Sequence, residues 1–150
     1  MLPLSYVSEK FTITRVRSIL IIDDDKDDIE NFVDAIAAID EKIACKTCYN
    51  CKDGLLLLKK IIPPPSFVFL DLNLPKMNGF ECLAEIKKSA TLKNIPVIIY
   101  TTSKSSNDME HSRSLGAAGF LTKPPLFNKL KKELLSIIKG NWSGYFSESD

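Results

Sequence analysis

The sequence carries no excess of charge of either sign: 20 Lys and Arg stand against 19 Asp and Glu, a formal net charge of +1 over 150 residues. Nucleic-acid-binding chains usually carry a strong basic excess or stripe, so direct nucleic-acid binding is not expected. No apolar run approaches the roughly 20 residues that a membrane-spanning helix needs. The opening residues, MLPLSYVSEKFTITRVRS, lack the early positive charge and apolar core of a secretory signal. Cytoplasm is the expected location, with no membrane partner. Histidine is nearly missing too: His111 stands alone, with no second metal ligand beside it. There is no internal repeat and no low-complexity stretch.

What is present has the make-up of an ordinary globular protein, 45% apolar and 26% charged. The length suits one domain with a real core. Four cysteines need an account. Cys45, Cys48 and Cys51 form a C-x-x-C-x-x-C run, and Cys82 lies far along the chain. Such a run can belong to a zinc or iron–sulfur site. In a strand, however, side chains alternate, so Cys45 and Cys48 would point to opposite faces. Small, buried, reduced cysteines in a strand and the loop after it are therefore expected.

Hydrophobic period and punctuation alternate after Arg17. SILII (18–22) is a β-branched run ending in three aspartates, and reads as a buried strand. Ile29, Phe32, Val33 and Ile36 then fall at helical spacing over 27–39. KIACKTCY (42–49) is strand-like, and its lysines suit an edge. DGLLLLKKII (53–62) is helical until Pro63, Pro64 and Pro65 stop it. SFVFL (66–70) is an apolar strand ending at Asp71, and NGFECLAEIKK (78–88) a helix. PVIIY (96–100) is a strand ending at Thr101. A weakly amphipathic helix over 105–115 is closed by Gly116, and AGFLT (118–122) is a strand ending at Lys123. Phe127, Leu130, Leu134, Ile137 and Ile138 stripe a last helix.

Strands alternating with helices, several of them continuously apolar, predict a parallel sheet covered on both faces in an α/β fold. Right-handed crossovers place helices on both sides. Residues 1–16 read as an arm, 17–139 as the domain and 140–150 as a tail.

In an open parallel sheet, ligands bind beyond the carboxyl ends of the strands, where the strand order switches. Asp23, Asp24 and Asp25 follow the first strand, and Asp71 with Asn73 the third. Thr101 and Thr102 follow the fourth, and Lys123 the fifth. Two carboxylates about 4 Å apart repel by roughly 4 kcal/mol at the effective dielectric near a protein surface. Acids from two strand ends therefore call for a cation. Oxygen-only ligands suit a hard divalent ion such as Mg²⁺. A metal and Lys123 could offset charge on a transferring phosphoryl group, and a carboxylate can itself be the nucleophile. Each feature alone has a plainer explanation, since acids favour helix N-termini and threonines cap helices. Their joint occurrence, in order, carries the argument.

These residues resemble the receiver domains of bacterial two-component response regulators (CheY-like). The motifs are ILIIDDD, FVFLDLNLPKMNGFE, PVIIYTT and GAAGFLTKP, and the resemblance runs over 18–138. It implies a flavodoxin-like, doubly wound five-stranded sheet of order 2-1-3-4-5, a fold for which such a receiver is a standing example. It also implies that Asp71 is the phosphoacceptor and that Mg²⁺ is required. Asp24 and Asp71 would bind the ion through side chains, Asn73 through its main-chain carbonyl, and Asp23 through metal-bound water. Thr101 and Lys123 would contact the phosphoryl group. Thr101 and Phe120 would be the switch pair, Phe120 lacking the hydroxyl that an aromatic there can carry. The Lys123–Pro124 bond would be cis. Pro125 would open the last helix at its tolerated first position. Asp25, Asp27 and Asp28 would line the start of the first helix without a catalytic role.

The expectation is thus a stand-alone, phosphorylation-switched receiver. It would be charged by a sensor histidine kinase or a phosphotransfer protein. It would signal to a protein target through its fourth helix, fifth strand and fifth helix, with a phosphorylation-dependent dimer as one form of output. It would not be an enzyme beyond Mg²⁺-dependent self-phosphorylation and self-dephosphorylation. One alternative is a pseudo-receiver that is never phosphorylated. Another is a phosphatase of the haloacid-dehalogenase type. Those enzymes place a second acid two residues after the nucleophile, where this chain has Asn73.

Overall fold

A computed structural model describes residues 16–141. Its elements alternate as the apolar periods require: β1 (Ser18–Ile22), α1 (Lys26–Ile39), β2 (Ala44–Cys48), α2 (Cys51–Lys60), β3 (Phe67–Leu70), α3 (Gly79–Lys88), β4 (Val97–Thr101), α4 (Ser106–Ser114), β5 (Gly119–Thr122) and α5 (Phe127–Ile138). The strands form one five-stranded sheet in the order β2-β1-β3-β4-β5. Every pairing is parallel. The arm and tail expected at the ends fall outside the described residues except for Val16, Gly140 and Asn141. Val16 is buried in the core. Among the described residues no helix is long and apolar enough to cross a membrane.

The continuous apolar runs are the central strands. β3 and β4 are buried along their whole lengths, and β1 is buried after Ser18. Alternation along each strand splits the core in two. Ile19, Ile21, Phe67, Phe69, Ile98 and Tyr100 join the cluster under α1 and α5. Leu20, Ile22, Val68, Leu70, Val97 and Ile99 join the cluster under α2, α3 and α4. The lysine-bearing β2 is an edge strand, and most of it is exposed.

Close packing on the second face needs glycine. A Cβ on Gly79 would collide with the Asp71 carbonyl oxygen and the Leu72 Cα. The Gly79 N–H donates to the Leu72 carbonyl at 2.9 Å. The start of α3 is thereby pressed onto the backbone that follows β3.

Three expectations are corrected. Cys51 is not a reduced cysteine in a loop. It is the first residue of α2 and is disulfide-bonded to Cys82 in α3, with Cα atoms 5.8 Å apart. The two helices lie side by side on one face, which brings together residues 31 apart in sequence. Cys45 and Cys48 are free. Second, the cis bond among the described residues is Ile62–Pro63, not Lys123–Pro124. X–Pro bonds favour trans by only about 0.5–1 kcal/mol, so local packing rather than a motif selects the isomer. Third, α5 begins at Phe127 with Leu126 as its N-cap, which leaves Pro124 and Pro125 in the preceding loop.

Candidate functional site

Strand order reverses between β1 and β3, and the acids flank that crevice. Asp23 and Asp71 each extend the ladder by one residue. The Asp23 N–H donates to the Cys48 carbonyl and the Asp71 N–H to the Ile22 carbonyl, both at 3.0 Å. Their side chains are buried, whereas Asp24 is exposed at the mouth. One oxygen from each of Asp23, Asp24 and Asp71 lies within 4.8 Å of the other two. Among the described residues no other group of three or more potential metal ligands is assembled this way. Asn73 is exposed, and its N–H lies 3.4 Å from Asp71 Oδ1.

Lys123 reaches this crevice from the end of β5. Its Nζ is 2.8 Å from Asp23 Oδ2, 2.7 Å from Asp28 Oδ2 and 3.4 Å from Asp71 Oδ2. It also lies 5.4 Å from the centre of the Tyr100 ring. Burial opposes the ammonium's charge, but the contacts with Asp23 and Asp28 and the charge of Asp71 together hold its pKa above the ordinary lysine value. The same surroundings raise the Tyr100 phenol, mainly through burial.

Asp23 feels the opposite balance. Burial pushes its carboxyl up to about 6, opposed by Lys123 and the Asp25 N–H and reinforced by Asp71. Its Oδ1 accepts from the Asp25 N–H at 2.9 Å. Its fully buried Oδ2 has no hydrogen bond; the Lys123 contact is close but is held by charge alone. Asp23, Asp24, Asp28 and Asp71 thus share a single ammonium. An all-oxygen donor set with an orphaned buried carboxylate oxygen and excess negative charge fits a hard divalent cation. The cysteines do not fit such a role, since Cys51 is spent in its bond with Cys82.

Thr101 ends β4 and is fully buried; its Oγ1 accepts from the Ser103 N–H at 3.4 Å. Phe120 lies beside it in β5, paired with Ile99, and is buried in the cluster beneath α4. Thr122, opposite Thr101, donates to the Ser103 carbonyl at 2.9 Å. The sequence-predicted residues Asp23, Asp24, Asp71 and Lys123 are therefore brought together, and Thr101 and Phe120 occupy adjacent strands. Asp28 was missed. Asp25 caps α1 by accepting from the N–H groups of Asp27 and Asp28. That first turn sits over the crevice, so Asp28 meets Lys123. The signal was its place one turn into a helix that starts at a site strand.

Known proteins carry the same pattern. Residues 19–135 match the family described as the response regulator receiver domain. Probable methanogenesis regulatory protein FilR2 of Methanothrix harundinacea is 42% identical over 81 residues, covering 54% of this chain and 52% of that protein. The chain spans about half the length of the first three curated relatives it matches, 50–54%. Among solved structures, the phosphorylated cyanobacterial phytochrome response regulator RcpA aligns with a TM-score of 0.72 at 31% identity, over 89% of this chain and 96% of that one. The Mn²⁺-bound form of response regulator Rcp1, a protein known from Synechocystis, aligns at 0.69 and 29% identity, over 89% and 97%.

Proposed function

The chain belongs to the response regulator receiver domain family, and from that premise we propose that it is a phosphorylation-switched signalling domain with Asp71 as its phosphoacceptor. The observation that carries this reading is Asp71 at the strand-order switch, gathered with Asp23 and Asp24 and with Lys123 Nζ at 3.4 Å from its Oδ2. One Asp71 carboxylate oxygen forms the new bond to phosphorus. The bond from phosphorus to the donor breaks with its electron pair leaving on the donor, a phosphohistidine nitrogen or the oxygen of a small acyl phosphate. Lys123 follows the charge onto the phosphoryl oxygens, and the Thr101 hydroxyl turns to bond one of them. Phe120 moves into the space that Thr101 vacates.

Mg²⁺ fits the donor set: Asp24 and Asp71 would hold it by side chains, Asn73 by its main-chain carbonyl, and Asp23 through bound water. When bound, the ion supplies positive charge that offsets the crowded carboxylates and the incoming phosphoryl oxygens. Support by likeness comes from RcpA, solved phosphorylated, and from Rcp1, solved with Mn²⁺. The donor in the cell is a sensor histidine kinase or a phosphotransfer protein. The output is a protein surface formed by α4, β5 and α5, where Leu126 and Phe127 are exposed beside the β5–α5 loop. A phosphorylation-dependent dimer is one way to use that surface, and cytoplasm is the compartment that suits it.

The test is labelling with acetyl phosphate and Mg²⁺. The parent should form an acid-stable, base-labile adduct that Asp71→Asn abolishes, and Asp24→Ala should weaken Mg²⁺ binding strongly. Equal labelling of Asp71→Asn would displace the acceptor. No labelling of the parent, by acetyl phosphate or by any phosphotransfer protein, would leave a pure interaction module.

A further inference from the structure

The Cys51–Cys82 bond joins the two segments that flank the acidic crevice. Cys51 opens α2, three residues after Cys48, whose carbonyl accepts from the Asp23 N–H. Cys82 lies three residues beyond Gly79, the residue pressed onto the Asp71 carbonyl. A bond between buried cysteines sits poorly with the reducing compartment that suits this fold, where disulfides are rare unless transient or redox-sensing. A route to it exists. A cleft of about 270 Å³ opens between the first turn of α2 and the loop after β3, lined by Asn50, Cys51, Lys52, Asp53, Lys76 and Met77, with Pro75 at its rim. Two ammonium groups face one carboxylate there, and Asp53 Oδ2 is already engaged by Asn50 Nδ2 at 3.0 Å. The cleft therefore favours a small anionic visitor.

We propose that Cys51–Cys82 is a reversible redox site, opened by an anionic low-molecular-weight thiol entering through this cleft, and that its state sets the mobility of the loop after Asp71. The attacking thiolate bonds to Cys51 Sγ as the disulfide breaks, and Cys82 leaves as a thiolate that takes up a proton. A second thiol displaces Cys51, so that two thiols are oxidised to their disulfide and the protein gains two cysteine thiols. Cys51, at a helix N-terminus and near Lys52, is a good thiolate in that second step. Cys48 does not compete internally, because burial, with the charge of Asp53, holds it protonated. Cys45, raised by burial to about 11, is also a protonated thiol. Once the bond opens, α3 stays pinned at Gly79 but loses its link to α2, and residues 72–79 gain freedom.

Oxidised protein incubated with reduced glutathione under native conditions, then alkylated and mapped by mass, tests this. The expected result is a glutathione adduct on Cys51 with Cys82 alkylated. Lys52→Glu/Lys76→Glu should form it several-fold more slowly. Neutral 2-mercaptoethanol should reduce parent and variant at equal rates. Amide exchange at 72–79 should rise several-fold in reduced protein and in Cys51→Ser/Cys82→Ser, with α1 unchanged. Reduction no faster than global unfolding, an equal response of glutathione and 2-mercaptoethanol to the charge reversal, or identical exchange at 72–79 in both redox states would each overturn the proposal. None of these readouts uses phosphorylation, so they stand apart from the fate of Asp71.

Discussion

The two helical layers are held to the sheet in different ways. On one face α1 and α5, of 14 and 12 residues, pack together over a wide apolar surface. At its centre Phe32 lies 4.8 Å from Phe69 and 5.4 Å from Tyr100, ring centre to ring centre. On the other face α2, α3 and α4 have 10, 10 and 9 residues. There Gly54 packs onto Ile22 and Gly79 onto Asp71, and a covalent bond links two of the helices. Of the residues of α4, only Ser112 is buried, and its hydroxyl is turned back onto the Asp108 carbonyl. The first layer is anchored by large side chains, which suits it to carry global stability. The second is held by close backbone approach and a few point contacts, so its parts can shift separately. Phe120 lies on the second side and Tyr100, its neighbour across β4, on the first.

The strongest way to break this contrast is Phe32→Ala. Emptying a fully buried aromatic site should cost about 3–5 kcal/mol in denaturant unfolding. Met109→Ala, in α4, should cost far less. Equal losses would mean that α4 is as firmly held as α1.

A second experiment addresses the crevice where the layers meet. Asp23 has a folded pKa of about 6, above its unfolded value of about 3.9. Between these values the folded state binds more protons than the unfolded one, so raising the pH lowers stability. For metal-free protein this group should remove about 2–3 kcal/mol as pH climbs from 4 to 7, a loss absent from Asp23→Asn. Urea midpoints measured with a chelator across that range would show it. Matching pH profiles of parent and variant would place the acidic strain elsewhere.

The smallest effect should come from α4. Ser105 caps it by accepting from the Asp108 N–H at 3.2 Å, and Ser105→Ala should cost about 1 kcal/mol. Amide exchange should rise over 106–114 while α1 stays protected. In the same assay Thr101→Ala should still accept a phosphoryl group but lose the change in protection over 103–116 that phosphorylation brings. A response spread evenly over both layers would erase the distinction.

The sequence was legible where structure follows from local pattern. The apolar runs became β1, β3 and β4, the lysine-bearing strand became an edge, and the acids and Lys123 fell at strand ends because those ends all point one way in a parallel sheet. It was illegible where contacts depend on how a helix is rotated and where it is seated. Cys51 and Cys82 meet because α2 and α3 lie side by side on one face. Asp28 meets Lys123 because the first turn of α1 leans over β1. Neither pairing leaves a trace in spacing. Leu126 had no capping side chain to mark the start of α5, so Pro125 was read one turn too far into the helix.

The strand order also sets a timetable for synthesis. β1 pairs with both β2 and β3, so no central sheet can close until residue 70 has left the ribosome. At about 5–20 residues per second, seconds pass before β5 follows. During that interval Asp23 and Asp71 are already side by side, and the lysine that balances them has not been made. Newborn chains thus hold a crowded anionic pocket with no internal counterion, and any divalent cation in the surrounding fluid is the first partner available to it. The ion that later helps the finished protein to signal can help the unfinished one to fold.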